Sequence, residues 1–401
     1  MATRISSALM PQKLVQPSFV DWGSVDNYIL LNPFLTEKDA EVLSELAVKV
    51  SQQANLQSHI WLATSGSSAE SQRQVKLVAL SQRALVNSAQ SVNRWIEATE
   101  NDRWLQVLPF FHVGGLGIEL RARLSGANIF YSQIEKWNPD LFVQECIHQQ
   151  ITVTSLVPTQ VFDIVQRKIS APKNLRIVFV GGGQLSSDLY YDARNLGWSL
   201  LPSYGMTESG SMIACADLLS LNSLVEYPKI KILPHAKIKT NQDQLLIVEA
   251  TSLLTMYAKN LNDEGTQFNF FDPKVEGAFT TEDCGEIVHG ALSIYGRQTD
   301  FIKIAGEATH LGRLRELLKK IIQHEYIVLL TIPDQRLGHQ LVLAYQADQA
   351  SDIDQVVQNF NQQVLPFEKI RQTFAVYEIP KSAIGKIQYE KLKQTILSKI
   401  D

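Results

Sequence analysis

Short apolar runs alternate with stretches of 3.6-residue periodicity through most of the chain. The runs in "HIWLATSG" (59–66), "RWLQVLPFF" (103–111), "ANIFYS" (127–132), "ITVTSLVPT" (151–159), "LRIVFVGGG" (175–183) and "WSLLPSYGMTE" (198–208) read as strands. Between them, "NPDLFVQECIHQQ" (138–150) has helical spacing, and "SSDLYYDARNLG" (186–197) is a helix closed by Gly197. Upstream, one helix is expected from Thr36. A second is capped by Ser81, with Ala84, Leu85, Ala89, Val92 and Ile96 on its apolar face. This alternation predicts an α/β fold built on a largely parallel, helix-covered sheet. From 226 to 295 the pattern turns to short strands with turns, "LLIVEA", "GAFTTEDCGEIVHG" and "LSIYG", a small antiparallel region.

Beyond "GRQTD" (296–300) a second unit is expected. Helices at 311–323 and 352–363 are interleaved with strands in "YIVLLTIPD", "LVLAYQ" and "FAVYEI", and a basic helix follows "PKSAIGK". The division is therefore a large domain over 1–299 and a small α+β domain over 300–401. A chain of 401 residues with 45% apolar content has ample material for two cores.

Composition then narrows the partners. A net charge of −4 with mixed signs lacks the basic stripe of a nucleic-acid binder. The three cysteines, Cys146, Cys215 and Cys284, have neither metal spacing nor a disulfide framework, so buried thiols in a reducing compartment are expected. No run approaches the roughly 18 apolar residues of a membrane span, and "MATRISSALMPQKLVQPSF" has no signal-peptide core. A cytoplasmic protein with no membrane span is the expectation, with oligomerisation left open.

Five stretches carry candidate chemistry. Thr64, Ser65, Gly66, Ser67 and Ser68 offer hydroxyls and N–H groups that can wrap an anion, with Lys76 or Arg73 as charge; a plain serine-rich turn is the alternative. The loop is expected between a strand and the Ser81-capped helix, where the helix dipole would favour an anion. In "PFFHVGGLG", His112 follows an apolar strand and precedes a glycine turn. In "VGGGQLS", Gly181, Gly182 and Gly183 would let a flat ring approach the strand end. In "SYGMTES", Tyr204, Gly205, Thr207 and Glu208 can stack a base, touch a phosphate and hold Mg²⁺ at the carboxyl end of a strand. Finally, Asp283 suits ribose hydroxyls, while Arg297 and Lys386 suit phosphate or carboxylate charge; as surface charges they need do neither.

From about residue 60 to the C-terminus, the order and spacing of "SYGMTES", "GRQTDFIKIAGE" and "PKSAIGK" resemble the adenylate-forming superfamily of acyl-CoA synthetases, luciferases and peptide-synthetase adenylation domains. The resemblance implies ATP, Mg²⁺ and coenzyme A as cofactor and co-substrates, and a carboxylic acid as substrate. It makes Glu208 the Mg²⁺ ligand, Thr207 a phosphate contact and Tyr204 the adenine platform beside Gly181–Gly183. Asp283 and Arg297 hold the ribose. Lys386 bridges the acyl carboxylate and the α-phosphate, His112 shapes the acyl passage, and Lys303 joins the nucleotide-binding set. Asp300 is the hinge, and Gly306 lies near the incoming thiol.

Within that superfamily, "FHVGGLGIELR" (111–121) is similar to o-succinylbenzoate–CoA ligases of menaquinone biosynthesis. Gly114 and Arg121 would then face the acyl pocket, Arg121 answering a second carboxylate. Arg123 leaves a second reading open, a basic helix with Arg121 turned to solvent. The chain departs from the family in its altered Ser-rich loop, in "IAGE" and "HLGRLRELL", and in a shortened N-terminal part. Two other functions remain: a ligase for a different aryl or short-chain acid, loading CoA or a carrier-protein thiol, and a degenerate nucleotide-binding scaffold.

Overall fold

The computed structural model describes residues 5–7, 20–64, 73, 75–134, 136–222, 227–298, 301–304, 307–322, 326–347, 352–381 and 387–400. Strands β1 (Ile5–Ser7) and β2 (Asn27–Leu30) lead into α1 (Glu37–Gln53). Thr36 caps α1 as expected, its hydroxyl accepting from the Asp39 N–H at 3.2 Å. Next come β3 (His59–Ala63), β4 (Leu77–Ser81) and α2 (Gln82–Trp95). The predicted alternation follows through β5 (Arg103–Gln106), α3 (Val113–Ser125), β6 (Asn128–Tyr131), α4 (Pro139–His148) and β7 (Val153–Leu156). It continues with α5 (Pro158–Gln166), β8 (Ile177–Val180), α6 (Ser187–Asn195) and β9 (Leu200–Met206). Gly197 ends α6 with φ +90°, a conformation that glycine adopts without steric cost.

The remaining strands are β10 (Ser211–Cys215), β11 (Ile230–Ile232), β12 (Ala236–Thr240), β13 (Leu245–Ala250), β14 (Met256–Asn260), β15 (Phe268–Phe271), β16 (Phe279–Val288) and β17 (Ala291–Arg297). After them come β18 (Phe301–Ile304), β19 (Glu307–His310), α7 (Leu311–Ile321), β20 (Ile327–Asp334), β21 (Gly338–Gln346), α8 (Ile353–Asn361), β22 (Ile370–Val376) and α9 (Tyr389–Leu397).

The chain divides into two units. The first comprises 1–239, 247–280 and 287–293, and the second 240–246, 281–286 and 294–401. In the first unit β6, β5, β7, β8 and β9 run parallel, and β10 and β11 extend them antiparallel. A six-stranded sheet, ordered β1-β2-β3-β4-β14-β15, completes the unit. The strands predicted between 226 and 295, β13, β16 and β17, are neighbours in one sheet, which continues through β11, paired antiparallel with β17, to β10; β14, which lies between them in sequence, pairs instead with β4 in the six-stranded sheet.

Helices α2 and α3 are apolar on more than one face because two cores claim them. Leu85, Ala89, Leu116 and Leu120 pack with Leu62 and Val78 of the six-stranded sheet. Val92, Ile96, Ile118 and Ala122 pack with Trp104, Val153 and Phe179 of the parallel sheet. On the parallel sheet's other face, Phe142 of α4, Val161 of α5 and Tyr190 of α6 cover Leu156 and Val178. In the second unit the three-stranded sheet β20-β21-β22 has α7 and α8 on one face, through Leu314, Leu318 and Phe360. Leu392 and Ile396 of α9 cover the other.

One expectation is overturned. "LVALS" is strand β4, paired antiparallel with β3 from Ala63↔Leu77 to His59↔Ser81. The Ser-rich loop therefore joins two strands of a hairpin, not a strand to a helix. Ser81 does cap α2, accepting from the Ala84 N–H at 3.1 Å, but it does so at the far end of β4 from the loop. The helix dipole acts over about one turn and does not serve the loop.

Candidate active site

Strands β9 and β10 form a tight antiparallel pair around the "SYGMTES" segment, with Ser211 opposite Met206 and Met212 opposite Gly205. A Cβ on Gly205 would stand 2.1 Å from the Ser211 carbonyl oxygen, so only glycine fits there. Thr207–Ser209 make one 3-10 turn, closed by Gly210 at φ +64°. The Ser209 hydroxyl ties the turn together: it accepts from the Met206 N–H at 3.2 Å and lies 2.8 Å from the Ser211 carbonyl. Thr207 and Glu208 are half-buried at this turn, and Tyr204 packs against the apolar core beneath.

Glu208 is held twice by one neighbouring segment. Its carbonyl accepts from Leu254 N at 2.8 Å, and its Oε1 accepts from the Tyr257 hydroxyl at 2.8 Å. Tyr257 is buried on β14, with Phe271 and Phe279 at ring-centroid distances of 5.6 and 6.5 Å. The other face of the segment is clamped by Lys274, whose Nζ donates to the Leu254 and Thr255 carbonyls at 2.6 and 3.2 Å. Among the described residues, Glu208 Oε2 accepts no hydrogen bond.

Lys76, the residue before β4, places its ammonium 3.9 Å from the centroid of the Tyr257 ring. Such a contact contributes about 0.5–1 kcal/mol where partly exposed. Thr64 closes the base of the same loop, its N–H donating to the Lys76 carbonyl at 2.9 Å. Arg73, the other candidate cation, is engaged elsewhere: its Nε pairs with Asp39 of α1 at 2.5 Å. The hydrogen bond with the Thr36 side chain first, and then Arg73, hold that carboxyl below its usual range. Ser65, Gly66, Ser67 and Ser68 lie outside the described residues.

Gly181, Gly182 and Gly183 follow β8, with Gly182 at φ +75°. A Cβ on Gly181 would come within 2.9 Å of Ser203 Oγ, the hydroxyl that donates to the Val180 carbonyl at 3.1 Å. His112 does not precede a glycine turn. It is the N-cap of α3, so Gly114, Gly115 and Gly117 lie in the helix's first turns. The reason is steric, since a Cβ on Gly115 would sit 2.2 Å from the Pro109 carbonyl oxygen as the chain folds back into the helix. The His112 ring packs on Phe111 with centroids 4.5 Å apart.

Arg121 is not turned to solvent. It is 2% exposed because α3 is covered by a sheet on each side. Its Nη2 donates to Ser211 Oγ at 2.9 Å, its guanidinium carbon lies 5.7 Å from the Phe179 ring centroid, and its Nε finds no acceptor among the described residues. Burial pulls the guanidinium down to about 10, with Cys215 working the other way, so it remains a cation at neutral pH. No carboxylate pairs with it among the described residues. Gly114 and Arg121 are seven residues apart and so share one stripe of the helix. His235 is near enough to feel the Arg121 charge. Burial first, then Arg121 and Arg94, push its imidazole down to about 4, and neither ring nitrogen has a hydrogen-bond partner among the described residues.

Asp283 and Arg297 come together in the second unit, with Arg297 Nε 3.6 Å from Asp283 Oδ1 and its Nη1 3.8 Å from Glu282 Oε2. The Asp283 backbone is set by the Thr281 hydroxyl, which accepts from its N–H at 3.0 Å. Lys303 is described only as backbone, in β18, and Asp300, Gly306 and Lys386 lie outside the described residues. Cys146, Cys215 and Cys284 are all buried, as expected. No described helix is long and apolar enough to cross a membrane.

Sequence reasoning missed Tyr257, Ser211 and His235. Tyr257 sits in "LLTMYAKN", whose pattern is that of any edge-to-core strand. The only clue to Ser211 is its place just after "SYGMTESG".

The profile of the AMP-binding enzyme family matches residues 40–245, just over half the chain. The 2-succinylbenzoate–CoA ligase of Staphylococcus aureus (strain Newman) is 26% identical over 296 residues, spanning 72% of this chain and 58% of that ligase. The Listeria monocytogenes enzyme of the same name is 24% identical over 298 residues, 74% of this chain and 62% of the relative. The chain thus spans less than two thirds of the length of these curated relatives. In three dimensions it is similar to the o-succinylbenzoate CoA synthetase of Bacillus subtilis, solved in complex with the acyl-adenylate intermediate OSB-AMP. The TM-score is 0.75 at 19% identity, over 92% of this chain and 83% of that one. The predicted α/β architecture is thus the fold of that enzyme, and the chain, matched over half its length by the family profile, belongs to the AMP-binding enzyme family.

Proposed function

We propose that the protein is an ATP-dependent, AMP-forming acid–thiol ligase acting on o-succinylbenzoate and coenzyme A. In the first half-reaction a substrate carboxylate oxygen attacks the α-phosphate of ATP, the α–β bridging bond breaks, and pyrophosphate leaves with that bond's electron pair. In the second, the CoA thiolate attacks the acyl carbon and AMP departs. A role in menaquinone biosynthesis and a cytoplasmic location follow from this reading, and the buried cysteines suit a reducing compartment.

The observation that carries the choice of acid is the buried Arg121 cation, whose one polar side-chain partner among the described residues is a neutral hydroxyl. A lone buried charge is costly, and a fatty acyl chain would offer it nothing. A second carboxylate on the substrate, in contact or through one water, supplies the missing anion.

Mg²⁺ fits the residues present. No described cluster of three His, Cys, Asp or Glu could cage a metal, but Mg²⁺ is commonly held by one carboxylate together with nucleotide phosphates. Glu208, with Oε2 unengaged at a strand end, is that carboxylate. When bound, the ion neutralises charge on the phosphates as the two anions approach. Thr207 and Thr64 would donate to phosphate oxygens and Tyr204 would face the base. Asp283 and Arg297 would hold the ribose, and Lys386 would meet the carboxylate and α-phosphate. The small C-terminal domain would swing about Asp300 to exchange Lys386 for the thiol site.

The test is acid-dependent exchange of pyrophosphate into ATP across a panel of acids. Exchange that depends on o-succinylbenzoate supports the reading. Exchange with monocarboxylates alone removes the role given to Arg121, and none with any acid favours a nucleotide-binding scaffold.

A further inference from the structure

Two groups that the sequence places far apart, the loop lysine Lys76 and the turn carboxylate Glu208, meet on a single side chain. Tyr257 donates its hydroxyl to Glu208 Oε1 at 2.8 Å and carries the Lys76 ammonium over its ring at 3.9 Å. We propose that Tyr257 is a positioning residue that sets the metal-binding oxygen of Glu208 and docks Lys76 on its ring, so that this lysine and the metal ligand are arranged as one unit. The inference rests on the reading of Glu208 and Lys76 given above.

Three features make Tyr257 suited to this. First, the ring is packed in place: it is buried against Phe271 and Phe279, and its backbone pairs with Val78 of β4. That pairing also places Lys76, two residues before Val78, over the ring. Second, Glu208 is held through its carbonyl by Leu254 of the same segment, so the carboxyl group has only its side-chain torsions left to fix. A donor on Oε1 selects one orientation and leaves Oε2 facing away for a cation. Third, a cation over the ring face draws electron density from the phenol and strengthens its O–H as a donor. Docking of Lys76 and the grip on Glu208 therefore reinforce each other.

The inference is tested by calorimetric titration of the full-length protein with ATP, with and without Mg²⁺, in Tyr257→Phe, Tyr257→Leu, Lys76→Met and the Tyr257→Leu/Lys76→Met double variant. Tyr257→Phe keeps the ring and its packing and loses only the hydroxyl. It should bind ATP without Mg²⁺ as the parent does and lose roughly tenfold of the affinity that Mg²⁺ adds. Tyr257→Leu should in addition weaken Mg²⁺-free binding as much as Lys76→Met, and the double variant should be no weaker than either. An unchanged Mg²⁺ gain in Tyr257→Phe, or additive losses in the double variant, overturns this inference alone. A parent protein that binds no ATP overturns the proposed function and this inference with it.

Discussion

The Arg121 guanidinium donates through Nη2 to the Ser211 hydroxyl at 2.9 Å, joining the middle of α3 to the first residue of β10. Ser211 holds a φ of +111° to make that contact, a region where side chains other than glycine are strained. Strain of this kind costs on the order of 1–3 kcal/mol and persists only where surrounding structure imposes it. Here the neighbours are the Ser209 hydroxyl on the Ser211 carbonyl and the close approach of Gly205.

Arg121→Met separates function from folding. The linear apolar side chain removes an unmatched buried charge, so the unfolding midpoint should stay level or rise. Exchange driven by o-succinylbenzoate should fall by on the order of tenfold or more, the worth of a charged hydrogen bond. A large drop in the midpoint would instead mark the guanidinium as a structural strut.

Ser211→Ala and Ser211→Gly both delete the hydroxyl but differ at the backbone. Glycine accepts φ +111°, so the Gly variant should be the more stable of the two by about 1 kcal/mol in urea unfolding. Equal stability would mean that the backbone there is not strained.

Glycine at 205 and at 181 should respond very differently to alanine. At Gly205 the new methyl would meet backbone, 2.1 Å from the Ser211 carbonyl oxygen and 2.6 Å from Met212 Cα, and β9 and β10 would have to part. A loss above about 3 kcal/mol is expected. At Gly181 the obstacle is the Ser203 hydroxyl at 2.9 Å, a side-chain end that can rotate, so Gly181→Ala should cost about 1 kcal/mol or less. Denaturant titration of the pair checks both.

His235 predicts a pH dependence. Its folded-state value of about 4 lies below the ordinary 6.5, so the unfolded chain takes up a proton that the native state refuses. Its contribution is complete above pH 6.5 and is lost as pH falls from there to about 4, by on the order of 3 kcal/mol at most. His235→Gln should flatten the fall in unfolding free energy across that window, and an unchanged slope would sink the assignment.

For Lys386 the family resemblance makes a kinetic prediction. Lys386→Ala should abolish pyrophosphate exchange and spare thioester formation from supplied acyl-adenylate. Equal loss of both steps would count against a domain rotation that withdraws this lysine.

Much of the fold is legible because local patterns are strong. The apolar, β-branched runs "VTSL" and "IVFV" are strands β7 and β8 as their pattern predicts, and Ser81, Thr36 and Gly197 act on backbone groups a few residues away. The "SYGMTES" turn is legible for a similar reason, since its glycine and its Ser209 tie respond to contacts within one hairpin. "LVALS" misleads because four apolar residues before a capping serine suit a loop running into a helix as well as they suit a strand.

The sequence by itself determined the alternation of strands and helices, their caps, and the order of the candidate nucleotide motifs, since each depends on interactions within a turn or two. Only the tertiary structure decided that Arg121 is a buried cation with no carboxylate partner among the described residues, because its burial comes from sheets covering α3 on both sides. Only it decided that Lys76 and Glu208 share Tyr257, since that meeting depends on β14 pairing with β4 while the Glu208 turn docks on residue 254. Periodicity reports which face of an element is buried. It carries no information about which distant side chain the buried face will meet, and the chemistry of this site is set by such meetings.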